Sequence, residues 1–239
     1  MSKLYNKEQL VEIKKGQTGY GLLIEHDGHI IGKSDVINQI KEDIDAHHQF
    51  VIPDDFVVSA VFQKYGIKNA NGRIYPEEIL KREVQKYLEN QVANNCSIGA
   101  LDHPASSSLS GHDVSHRILD LRWEGKTLVG ELKLHLSPGY KRYGICSTSG
   151  DLAANMILDG IQIGVSSRGV GSVEQKFGTS VVGDDFELVG WDIVIENSTP
   201  GAKIAMNADD LKQYIESDDS KNGELISEKI KKINKILYS

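Results

Sequence analysis

Residues 127–136 read TLVGELKLHL, and Leu128, Leu132, Leu134 and Leu136 all fall on alternate positions. Apolar residues at a spacing of two put one face of an extended chain against a core, so this run predicts a strand. VSHRILDLRW lies just ahead of it, and Glu124-Gly125-Lys126 between the two predicts a hairpin. DFVVSAVFQKYG, residues 55–66, is rich in β-branched and aromatic side chains and predicts another strand. GYGLLIEHDGHIIGKS, residues 19–34, predicts two short strands around His26-Asp27-Gly28, because Asp-Gly is a hairpin signal. CSIGALDHP, residues 96–104, predicts a short buried strand ending at Pro104. IQIGVSSRGVGSV and FELVGWDIVIEN predict two more, the second stopped by Ser198-Thr199-Pro200-Gly201.

The period changes in three places. Ile79, Leu80, Val84, Tyr87 and Leu88 recur at helical spacing, with Pro76 suited to the first position and Glu77 and Glu78 to the first turn. A helix is therefore expected over 76–92, after an Asn-Gly turn in KNANGRIYP. GDLAANMILDG predicts a short helix closed by Gly160. After about 205 the chain turns polar and helical, SDDSKNG makes a linker, and Ile226, Ile230, Ile233 and Leu237 form a narrow stripe suited to docking on a partner. No internal repeat is present. The expected organisation is an α+β body over 1–205, mainly strands, whose first 50 residues carry no motif, and a helical tail over 206–239.

Composition narrows the partners. Asp and Glu outnumber Lys and Arg by 34 to 27, for a net charge of -7, and no basic cluster stands out, which argues against nucleic acid. No run approaches the roughly 18 apolar residues that cross a bilayer, and the N-terminus has no leader pattern, which argues against a membrane. The two cysteines, Cys96 and Cys146, form no CxxC, so a zinc ribbon is unsupported and a reduced, cytosolic setting is the simpler reading.

The candidate chemistry lies in GVSSRGVGS, residues 164–172. Gly164, Gly169 and Gly171 would let a backbone or substrate approach Ser166 and Ser167 closely. A plain glycine-serine turn fits the same composition, and the stretch is no GxSxG elbow. A nucleophilic serine needs a base. Of the eight histidines at 26, 29, 47, 48, 103, 112, 116 and 135, His103 is set apart by ending an apolar strand before Pro104. A partly buried polar cap would look the same. His112 and His116 would suit a metal on a helix, but their segment reads as strand, where i and i+4 are about 13 Å apart. Asp192 sits between apolar residues in Trp191-Asp192-Ile193-Val194; it either orients a histidine or faces outward.

In order along the chain, NGRIYP before a helix, GALDHP, a short AAN helix, GVSSRG and WDIVIENSTPGA resemble the prohead (procapsid maturation) proteases of T4-like tailed phages. The resemblance covers roughly residues 55–205. It implies a fold like the herpesvirus assemblins: a small, mainly antiparallel β-barrel surrounded by helices. It implies Ser166 as nucleophile, His103 as general base and Asp192 as the third member, with Glu196 as fallback, and Ser167, Arg168 and Gly169 as oxyanion support. It implies a serine endopeptidase that needs no metal or cofactor and works inside the procapsid in the host cytoplasm. Its substrates would be scaffold and capsid proteins and the chain itself. Family members remove their own segments after a glutamate that follows a branched aliphatic by two residues, a pattern met at Ile226-Ser227-Glu228 and at Ile40-Lys41-Glu42. The tail would offer a surface for self-association. The rival expectations are a non-catalytic structural barrel of a phage particle and a metal-binding domain on His112 and His116.

Overall fold

The computed structural model describes residues 11–31 (26–31 by backbone alone), 40, 42, 52, 55–104, 109–176 and 178–195. The expected tail helix, its linker and Glu196 lie outside the described residues. Among the described residues there are nine strands: β1 (Gly19–Ile31), β2 (Val57–Lys64), β3 (Arg73–Ile74), β4 (Ile98–Ala100), β5 (Val114–Glu124), β6 (Thr127–Leu134), β7 (Gly164–Lys176), β8 (Thr179–Val182) and β9 (Glu187–Val194). The helices bounded within the described residues are α1 (Glu77–Tyr87), α2 (Pro138–Tyr143) and α3 (Ser149–Leu158).

All nine strands join one sheet, in the path β3-β8-β7-β1-β2-β6-β5-β4, with β9 also paired to β7. Every pairing is antiparallel except that of β3 with β8. The mixed α+β class dominated by strands is as expected; the described residues do not close into the expected barrel. β4 and β9 meet at a single parallel bridge, Leu101 with Ile193, not along a ladder. The Asp102 N–H adds one hydrogen bond to the Ile193 carbonyl at 2.7 Å. β4 is only three residues long, too short to continue the pairing.

The predicted hairpin at residues 19–34 is also corrected. β1 runs straight through His26-Asp27-Gly28, pairing with β7 on both sides of a register shift between Glu25 and Gly28. Two residues of β1 there oppose one of β7, which is a β-bulge. The Asp-Gly pair that reads as a turn is absorbed by this bulge, because long-range pairing with β7 outweighs a two-residue local preference. The predicted β5–β6 hairpin forms, with Gly125 in the left-handed region at φ 57.

α1 buries Ile79, Leu80, Val84 and Tyr87, and Pro76 sits one place earlier than expected, as the cap. The helix runs on as a π-helical turn, Leu88–Val92. Trp191 of β9 is fully buried and takes Phe62 and Tyr87 edge-on, with ring centroids 5.4 and 5.0 Å away. Such pairs add to the burial of the rings themselves. α2 was not anticipated. It is too short for a periodic signal and rests on the Ser137 cap at one end and Gly144, φ 70, at the other. Asp151 ties it to α3, accepting from the backbone of Ser137, Ser147 and Thr148. Among the described residues no helix is long and apolar enough to cross a membrane.

Candidate active site

Ser166 and Asp192 face each other as register partners on β7 and β9. Directly opposed residues of a ladder have Cβ atoms about 5 Å apart, which leaves room for a third side chain to bond both. His103 is that side chain. It follows β4, whose end is pinned to β9 by the Leu101–Ile193 bridge and by the Ala100 N–H, which donates to Asp192 Oδ1 at 3.0 Å. Between bridge and histidine, Asp102 takes a left-handed backbone at φ 61, which swings the chain back over the sheet. Asp is among the few residues that visit this region readily. His103 Nδ1 then lies 2.9 Å from Asp192 Oδ2, and Nε2 lies 2.7 Å from Ser166 Oγ.

Asp192 is fully buried. Burial alone would raise its pKa, but hydrogen bonds from His103 and Arg168, the Arg168 charge and the Ala100 N–H outweigh that and hold the carboxyl at about 2. The carboxylate is therefore ionised and can only accept, so His103 carries its proton on Nδ1 and, when neutral, accepts at Nε2. Ser166 is wholly shielded from solvent, while the His103 side chain is 15% exposed.

Arg168 lies two residues beyond Ser166, on the same face of β7 and diagonal to Asp192. Its guanidinium is buried and donates through Nε to Asp192 Oδ2 at 2.8 Å and through Nη2 to Oδ1 at 3.2 Å. Its side chain thus serves the acid. Ser167 is buried and pairs with Glu25 on one side and Trp191 on the other. The expected reason for two of the glycines changes. A Cβ at Gly169 would stand 2.4 Å from the Phe186 ring and one at Gly171 2.8 Å from the Phe186 Cα, so these positions seat a core phenylalanine rather than a substrate. His112 is exposed in the turn before β5, whereas His116 is fully buried within β5 and pairs through Nδ1 with Ser115 Oγ at 2.9 Å. The two do not come together as ligands.

Two participants escaped the sequence reading. The Glu25 carbonyl accepts a hydrogen bond from Ser166 Oγ, and Asp102 supplies the left-handed turn that aims His103. Glu25 gave only one signal, an acid directly after the apolar run Leu22-Leu23-Ile24.

A family model described as prohead core protein serine protease matches residues 15–211. The chain is 31% identical over 168 residues to the prohead core protein protease of Enterobacteria phage T4, an overlap of 68% of this chain and 74% of that protein. The solved structure of the bacteriophage T4 capsid assembly protease, gp21, superposes with a TM-score of 0.58 at 26% identity. That match covers 73% of this chain and 97% of gp21.

Proposed function

The chain belongs to the prohead core protein serine protease family, and on that premise we propose that it is a serine endopeptidase of the phage procapsid with Ser166, His103 and Asp192 as its triad. The observation that carries the assignment is the unbroken hydrogen-bonded chain Asp192–His103–Ser166. Ser166 Oγ attacks the scissile carbonyl carbon as its proton passes to His103 Nε2. The imidazolium is stabilised by Asp192 and then gives that proton to the leaving amine. Asp192 stays ionised throughout, which its low pKa permits. The main chain of Ser167 through Gly169 is paired with β1 on one side and β9 on the other, so these residues hold Ser166 in the sheet instead of facing an oxyanion, and the Arg168 side chain acts through Asp192.

In this reading residues 1–205 are the protease and 206–239 a tail that docks on another chain and is removed by self-cleavage. The substrates are scaffold and major capsid proteins met inside the procapsid in the host cytoplasm. A non-catalytic structural role would leave unexplained why both nitrogens of one histidine are engaged by a buried acid and a buried hydroxyl. The test is incubation with a fluorophosphonate and mapping of the modified residue, on the full chain and on a chain ending at 205. Label on Ser166 in either form supports the reading. Label elsewhere, or none in both forms, removes it.

A further inference from the structure

The Glu25 side chain is nearly inaccessible to solvent, yet its carboxylate has four donors. Arg73 Nη1 lies at 2.6 Å, Tyr75 Oη at 2.8 Å, Asn69 Nδ2 at 2.5 Å and Asn71 Nδ2 at 2.8 Å. A carboxylate out of water needs its charge matched and its lone pairs filled, and this cradle does both. All four donors come from one stretch, NANGRIY, residues 69–75. It is folded on itself by the Gly72 N–H to the Asn69 carbonyl and the Arg73 N–H to Asn69 Oδ1, each at 2.9 Å. Asn71 and Arg73 also donate to the Ile24 carbonyl, at 2.9 and 3.2 Å. The stretch thus grips both the side chain of Glu25 and the backbone just before it. The very next residue of β1 enters the bulge opposite Ser166, and the Glu25 carbonyl accepts from Ser166 Oγ.

Resting on the protease reading, we propose that Glu25 is a positioning residue for the nucleophile: the 69–75 cradle locks its side chain, and its main-chain carbonyl thereby fixes the Ser166 hydroxyl in the rotamer that faces His103. The hydroxyl has one proton and two acceptors, the Glu25 carbonyl and His103 Nε2. The carbonyl holds Oγ in line. At rest the proton is given to the Glu25 carbonyl; it turns to Nε2 and is transferred there as the Oγ–carbon bond forms and the π pair of the scissile carbonyl moves to its oxygen. Without the cradle the bulge relaxes and Oγ turns away, and misplacement on the order of 1 Å costs about a hundredfold in rate.

The test uses the full chain. Wild type, Tyr75→Phe, Glu25→Gln and the charge-free pair Glu25→Gln/Arg73→Met are titrated with a fluorophosphonate, and kinact and KI at Ser166 are measured together with Tm. Tyr75→Phe keeps the ring against Phe186, and the pair keeps the variant folded if a lone buried Arg73 does not. Asp151→Asn, which weakens the link between α2 and α3, is the stability control. We expect roughly ten- to hundredfold lower kinact in the cradle variants with KI within about twofold, and wild-type kinact in Asp151→Asn even where its Tm is lower. Rates that simply follow Tm in all variants, or unchanged kinact in Tyr75→Phe and a folded Glu25 variant, overturn the positioning role and leave the protease reading intact. A wild-type chain that does not label at Ser166 overturns both.

Discussion

His103 lies 63 residues ahead of Ser166 in the chain and 2.7 Å from its hydroxyl. Contact at that range between a strand end and a strand middle needs the whole sheet in place. Ser166→Ala or His103→Ala should therefore remove peptide cleavage, by a factor of roughly 10⁴ to 10⁶, with circular dichroism and Tm barely changed. Ser167→Ala should cost far less. Full loss in Ser167→Ala with activity kept in Ser166→Ala would mean that the nucleophile is the second serine.

Asp192→Asn keeps the shape of the acid but removes its preference for Nδ1–H on His103. We expect turnover to fall roughly 10³- to 10⁴-fold while Ser166 stays in position. Near-normal turnover here, with loss in Glu196→Gln, would transfer the role to Glu196.

The same carboxyl makes acid stability measurable. Its folded pKa, about 2, is below the ordinary 3.8, so its contribution is complete above about pH 4 and is lost as pH falls toward 2. The amount is about 2 kcal/mol. Urea unfolding midpoints taken between pH 5 and 2.5 should fall more steeply in wild type than in Asp192→Asn. Parallel slopes would show that Asp192 is not an ionised, hydrogen-bonded acid.

His116 works in a different window. Burial pushes its pKa down to about 4, against the pull of the Asp192 charge and the Trp191 backbone. The histidine is neutral when folded and prefers its proton when unfolded. Its contribution is present above about pH 6.5 and drains away as pH falls to 4, by about 3 kcal/mol. His116→Gln should flatten that part of the stability profile and leave the lower window in place. An unchanged profile between pH 6.5 and 4 would contradict a buried neutral imidazole.

Asp102 tests the aim of His103. Asp102→Gly accepts the left-handed backbone and should keep most of the activity. Asp102→Val does not accept it and should slow turnover at least tenfold. Equal activity in the two would show that the turn does not position the imidazole.

The tail is testable by mass. The wild-type chain, held at high concentration, should lose C-terminal residues, with Glu228 as one expected cut site, and the Ser166→Ala chain should stay whole. Identical loss in both would assign the cut to a contaminating protease.

Some of this was legible in the residues. The period-two leucines of β6 and the helical spacing of α1 report burial, and burial is what holds those elements. Asp192 was conspicuous because a carboxylate in an apolar strand needs partners. What stayed hidden depends on pairing across the chain. The sequence could not say that Asp27-Gly28 would be drawn into a bulge, that Arg168 would turn to the acid, or that residues 69–75 would close on Glu25. Gly169 and Gly171 read as room for a substrate and turn out to seat Phe186, since a glycine that admits a phenylalanine looks the same in sequence as one that admits a substrate.

The bridge of Leu101 with Ile193 sets when the proposed triad can come together. Ala100 and His103 are 92 and 89 residues from Asp192, so no local fragment of the chain can assemble the site. Joining segments so distant is entropically costly and, in topologies of high contact order, slow. Partly folded chains therefore carry a serine and a histidine but no enzyme. The seam between β4 and β9 ties the onset of proteolysis to the completion of the tertiary fold.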